Sequence, residues 1–220
     1  DIDASIRTSS CYLPDRVIPM LPFKLSDDLC SLRPNENRYA LGCEMTIVDG
    51  KVVDSEIFEA VICSKYRLTY NGVNQMLKEN SVPDDLAFLH DAKVLAEILE
   101  KKRKLKGSLD FETKEAKIIL DNKGYPIDIV PVNRGISEKM IEEFMICCNE
   151  TVTERIAYLD VPFVYRVHEE PKAEKYAELV DIAKTLGISI PKKQNSIHPL
   201  FIQQILEKPE TEEAKVIFNH

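Results

Sequence analysis

YALGCEMTIVDGKVVDSEIFEAVIC, residues Tyr39–Cys63, decides the fold class. Two apolar runs rich in β-formers, Tyr39–Val48 and Val52–Cys63, flank Asp49-Gly50. Asp-Gly supplies the two left-handed residues of a tight hairpin turn, so the pair predicts two antiparallel strands. A second such pattern, Lys117–Leu120 and Ile127–Val132, flanks Asn122-Lys123-Gly124.

The segments around these hairpins have helical periods. Tyr70–Glu79 reads as a short helix. Pro83-Asp84-Asp85 opens a longer one, about Asp84 to Lys104, with Leu86, Leu89, Val94, Leu95, Ile98 and Leu99 on or near one face. Ser137 begins a helix to about Tyr158, with an apolar stripe of Ile141, Phe144, Met145, Cys148 and Val152. Phe163–Val167 reads as a short buried strand. Lys172–Leu186 reads as a helix capped by Gly187, Pro191–Asn195 as a loop and Pro199–Leu206 as a last helix. The expected class is α+β: a mixed or antiparallel sheet with hairpins and packed amphipathic helices. No interdomain linker stands out, so residues 1–220 are expected to form one domain.

Composition sets bounds. Hydrophobic residues make up 44% of the 220, enough for a sizeable core. No apolar run approaches the eighteen or so residues of a membrane span, and no partner membrane is expected. The start, DIDASIRTSS, has no apolar signal region. The formal net charge of −8 argues against a freestanding electrostatic RNA binder, although a channel can be locally basic. Six cysteines and four histidines are scattered without zinc spacing, which points to a reduced, cytoplasmic setting. Cys147 and Cys148 read as small buried hydrophobes.

Tyr12–Pro22, YLPDRVIPMLP, is apolar yet holds Pro14, Pro19 and Pro22. Proline fixes φ and removes a backbone donor, which excludes a helix or a central strand. A rigid loop pinned against a core and presenting Tyr12 competes with a plain buried connection.

This segment and those that follow resemble the ribonuclease II/ribonuclease R family, the RNB exoribonucleases, on the bacterial ribonuclease R side. The resemblance continues through SKYRLTY (Ser64–Tyr70), GSLDF (Gly107–Phe111), MIEEFMICCN (Met140–Asn149), VPFVYRVHEEP (Val161–Pro171) and IHPLFIQQIL (Ile197–Leu206). The blocks stand in the family's order and spacing over nearly the whole chain. The resemblance implies part of a processive, Mg2+-dependent 3′→5′ exoribonuclease acting on single-stranded RNA and releasing nucleoside 5′-monophosphates. DNA is not an expected substrate, and oligonucleotide-binding-fold domains of the same parent chain are implied partners. The family's metal-binding aspartate cluster precedes the YLPDRVIPMLP block, and its Ser-Pro-Ile-Arg segment follows the IHP block. Neither is expected within this sequence, so no catalytic or metal-binding residue is assigned here, and the piece alone is expected to be inactive.

Five residues carry substrate contacts by this resemblance. Tyr12 would stack on the RNA 3′ end and help set the final product length. Phe111 would be the other jaw of that clamp; alone it reads as a packed strand residue. Tyr70 would help favour RNA over DNA; alone it is an ordinary helix-start aromatic. Glu142 would accept from a ribose hydroxyl, whereas adjacent glutamates by themselves mark a solvated face or partners of the helix dipole. Asn149, seven residues on, returns to nearly the same helix face and would line the same channel.

Other groups invite blander readings. Asp27-Asp28 reads as helix-start capping rather than a metal site. His168 and Glu169 read as structural hydrogen-bonding groups. KKRKLKG, Lys101–Gly107, reads as dipole complementation and a glycine C-cap, with a phosphate contact as the alternative. A rival to the enzyme reading is a non-catalytic RNA-binding or protein-interaction module on the same fold.

Overall fold

The structure is a computed structural model that describes residues 2–108, 115–132, 134–167, 172–185, 187–188 and 199–206. In chain order these are α1 (Ile2–Arg7), β1 (Cys11–Tyr12), β2 (Val17–Ile18), β3 (Asn37–Val48), β4 (Lys51–Cys63), α2 (Tyr70–Glu79), α3 (Phe88–Leu105), β5 (Glu115–Leu120), β6 (Pro126–Val132), α4 (Ile136–Tyr158), α5 (Ala173–Thr185) and α6 (Pro199–Leu206). The class is α+β, with three separate two-stranded antiparallel sheets among the described residues, β1–β2, β3–β4 and β5–β6.

The β3–β4 hairpin turns where the sequence places it. Asp49 and Gly50 both take positive φ, 50° and 70°, the geometry of a turn whose twist matches its strands. Register runs from Asn37↔Cys63 to Val48↔Lys51, with one irregularity at Thr46/Ile47. In the β5–β6 turn, Asp121 holds the chain: its carboxylate accepts from Lys123 N at 2.8 Å and Tyr125 N at 2.9 Å. Such side-chain bonds to nearby N–H groups are why Asp favours turns.

Contacts divide the chain into two compact units. One holds α1 to the start of α3 at Lys93, then β5, β6 and α4 as far as Glu142; it buries Val73, Leu86, Leu89 and Met140. The other holds α3 from Val94, α4 from Glu143, α5 and α6; it buries Ala96, Leu99 and Ala183.

Several expectations need correction. Asp84–Leu86 is a 3-10 turn, and the α-helix starts only at Phe88. Val94 and Ile98, expected on the apolar face, are exposed, while Ala96 is buried. In α4 the buried positions are Ser137, Met140, Glu143 and Thr151, whereas Ile141 and Met145 are exposed. The expected stripe is therefore rotated by about one position, because counting apolar residues overlooked a face carrying Ser, Glu and Thr. Phe163–Val167 is neither buried nor a strand: Val164 is 93% exposed, and Phe163 meets Tyr165 edge-on. A strand needs a pairing neighbour, and among the described residues this segment has none. The Gly187 cap forms, with Ile188 N donating to Ala183 O at 2.8 Å. The expected loop at 191–195 lies outside the described residues.

Candidate nucleic-acid interface

Tyr12 ends β1 and pairs with Val17 of β2. The YLPDRVIPMLP segment is thus a small hairpin, closed by Leu13 N donating to Arg16 O at 2.8 Å. Two residues per strand is all its prolines allow. It is tied down from outside: Arg7 Nη1 donates to Pro19 O, and Met20 N to Ser10 Oγ, both at 3.0 Å. Tyr12 is 79% exposed, which corrects the buried-connection alternative. A stiff backbone holding a bare aromatic ring is a platform on which a base can stack without being identified.

Tyr70 opens α2 and is half-exposed. Thr69 caps that helix, its hydroxyl accepting from Gly72 N at 3.2 Å. Four residues before Tyr70, Tyr66 donates its phenol proton to Asp85 Oδ2 at 2.5 Å. That hydrogen bond pushes the Tyr66 phenol above its usual pKa.

Glu142 and Glu143 are neighbours on α4 with different fates. A helix turns about 100° per residue, so they point apart. The Glu142 carboxylate is about one-third exposed and pairs with Arg134. Glu143 is buried and receives a forked bond from Arg103, Nε to Oε1 at 3.0 Å and Nη2 to Oε1 at 2.6 Å. Neither a solvated face nor dipole complementation describes Glu143. Asn149 is exposed, two helical turns beyond Glu142 on the same helix. Phe111, His168 and Glu169 lie outside the described residues.

Three polar residues to which the sequence assigned no role at the site, Asn74, Ser137 and Glu138, lie beside Tyr70. Asn74 Nδ2 donates to Glu138 Oε2 at 2.8 Å, Ser137 N donates to Asn74 Oδ1 at 2.8 Å, and the Ser137 hydroxyl reaches the Tyr70 carbonyl at 3.1 Å. Burial pushes the Glu138 carboxyl up, but hydrogen bonds from Asn74, Ser137 and backbone N–H groups outweigh it and hold the pKa below the usual carboxylate value. Ser137 and Glu138 were legible as a helix start; Asn74, some sixty residues away, carried no signal.

Asp28, Arg103 and Lys104 are engaged structurally. Asp28 lies against Arg33 at 3.5 Å and Arg38 at 3.4 Å, so it serves an ion-pair cluster rather than a helix cap. Within KKRKLKG, Arg103 serves Glu143, Lys104 pairs with Glu100 at 2.7 Å, and Gly107 N closes on Lys104 O at 3.0 Å as a C-cap. Burial pushes the Cys147 thiol up, as for a small packed hydrophobe. Among the described residues no three His, Cys, Asp or Glu side chains converge to hold a metal ion. No described residue is assigned to Mg2+, and no chemical step is routed through that ion. No described helix is long and apolar enough to cross a membrane.

Comparison with known proteins bears on the whole length. The family model of the RNB domain matches residues 1–220. Ribonuclease R of Thermotoga maritima is 44% identical over 214 residues, covering 94% of this chain and 30% of that protein. Ribonuclease R 1 of Lactococcus lactis is 39% identical over 225 residues, covering 100% of this chain and 28% of that one. Mycoplasma genitalium RNase R solved in complex with double-stranded RNA superposes with a TM-score of 0.91 at 32% identity, over 100% of this chain and 40% of that one. The same protein has been solved with ribose-methylated single-stranded RNA. The chain thus spans under a third of the two sequence relatives.

Proposed function

The chain belongs to the RNB domain family, and from that premise we propose that it is part of a processive 3′→5′ exoribonuclease that hydrolyses single-stranded RNA to nucleoside 5′-monophosphates. Its parts are walls of the RNA channel and stacking groups for the 3′ end. Tyr12 and Phe111 hold the last nucleotides; Tyr70, Glu142 and Asn149 face the ribose-phosphate chain. Mg2+ is the cofactor proposed for the full-length protein, where it would supply an activated water. The 220-residue chain alone is proposed not to hydrolyse RNA. Oligonucleotide-binding-fold domains of the same parent chain grip the RNA upstream, and the residues 1–220 form part of one RNB catalytic domain. The protein works in the cytoplasm.

The observation that carries this assignment is the exposed Tyr12 ring on its proline-stiffened hairpin, in a chain similar from end to end to a protein solved with RNA. The test compares a linear single-stranded RNA with the same RNA circularised, both given to the full-length protein. A 3′→5′ exonuclease degrades the linear form and leaves the circle intact. Cutting of the circle would show an internal endonuclease instead.

A further inference from the structure

We propose that Asn74 is a positioning residue that caps α4 from α2 and thereby fixes Tyr70 and Glu142 in one frame; the inference rests on the proposed role of those two residues at the ribose. It starts from an irregular helix start. α4 begins at Ile136, so Gly135 is its N-cap, and the Gly135 carbonyl accepts the first helical bond from Lys139 N at 3.3 Å. An N-cap residue ordinarily lends a side-chain oxygen to the N–H two or three positions on. Gly135 has none. Asn74 supplies it from another helix: its Oδ1 accepts from Ser137 N at 2.8 Å.

The rest of the cap is complete. Glu138, three residues past the cap, reaches back to accept from Gly135 N at 3.0 Å, the reciprocal half of a capping box. Asn74 Nδ2 donates to the same carboxylate oxygen at 2.8 Å. Only this orientation of the amide sets its donor against the carboxylate and its oxygen against an N–H, so the network itself assigns it. Glycine at 135 is dictated by the same arrangement. A Cβ there would lie 2.1 Å from Asn74 Nδ2, where no real contact is found.

The cap joins two functional side chains. Asn74 lies one turn after Tyr70 on α2, and the buried Ser137 hydroxyl reaches back to the Tyr70 carbonyl at 3.1 Å. Glu138 lies one turn before Glu142 on α4, on the same face. Tyr70 and Glu142 are therefore held by one cluster of hydrogen bonds, not by two independent helices. Asn74 touches no substrate in this account; it acts through the groups it holds.

The test uses the full-length protein and the ratio of kcat/KM on a single-stranded RNA to that on the same RNA with one deoxynucleotide near its 3′ end. Asn74→Ala should lower this ratio by roughly 2- to 10-fold, the worth of a hydrogen bond. The deciding variant is Asn74→Ala with Gly135→Ser. Serine restores a local cap, so the unfolding midpoint should recover, but the link to α2 stays absent and the ratio should stay low. Recovery of both would make Asn74 a cap and nothing more, overturning the proposal. Tyr70→Phe and Glu142→Ala run alongside. If they lower the ratio and Asn74→Ala does not, only the positioning role falls. If neither lowers it, the ribose assignment fails and the positioning role falls with it. Should Asn74→Ala not fold, Ser137→Ala removes the hydroxyl that reaches both the Tyr70 carbonyl and the Glu138 carboxylate, each at 3.1 Å, and an unchanged ratio there would overturn the proposal.

Discussion

Glu143 of α4 holds Arg103 of α3 in a forked ion pair across forty residues of sequence, with Nη2 to Oε1 at 2.6 Å. The carboxylate is 5% exposed and the guanidinium 21%. A buried charge stripped of its partner cannot recover its hydration, so removing one member costs about 3–5 kcal/mol. Glu143→Ala should therefore lower the stability of the full-length protein by about that much in urea unfolding. Glu142→Ala, which breaks a partly exposed pair with Arg134, should cost about 0–1 kcal/mol. Equal losses would mean that the division between these neighbours is not real.

Tyr12→Ala should change where degradation stops more than how fast it proceeds. Stacking of one base is worth about 1–3 kcal/mol. Long RNAs have other contacts and should still be degraded, while short ones should dissociate before the last cuts. The residual oligonucleotide, sized on a gel, should grow. An unchanged end product would remove Tyr12 from the 3′-end clamp.

The Glu138 carboxyl, held below its usual pKa in the fold, makes stability pH-dependent. Between the folded and unfolded pKa values the unfolded chain binds more protons, so stability rises with pH there. Its contribution is complete above the unfolded carboxylate value, about 4.3, and is lost as pH falls through the lower folded value. Glu138→Gln should flatten this part of the acid limb in urea midpoints taken from pH 7 to 3. Superimposable slopes for the two proteins would contradict it.

Local chemistry was legible in the sequence, and distant partnership was not. Asp49-Gly50 predicted its hairpin because turn geometry depends on two residues. Tyr70–Glu79 and Pro199–Leu206 matched their helices end to end. The buried face of α4 was missed because what buries Glu143 is Arg103, forty positions away. Phe163–Val167 has the composition of a strand, but pairing belongs to a neighbour, not to the segment. Of the candidate contacts, Tyr12, Tyr70, Glu142 and Asn149 are all at least partly exposed; the cluster linking Tyr70 to α4 came only from coordinates.

The most direct measurement is the product of full-length protein and isolated 220-residue chain on a 5′-labelled single-stranded RNA with Mg2+. The full-length protein should shorten the RNA stepwise from its 3′ end and release nucleoside 5′-monophosphates, while the isolated chain leaves it intact. Stepwise shortening by the isolated chain, or no 3′-end shortening by the full-length protein, would contradict the account.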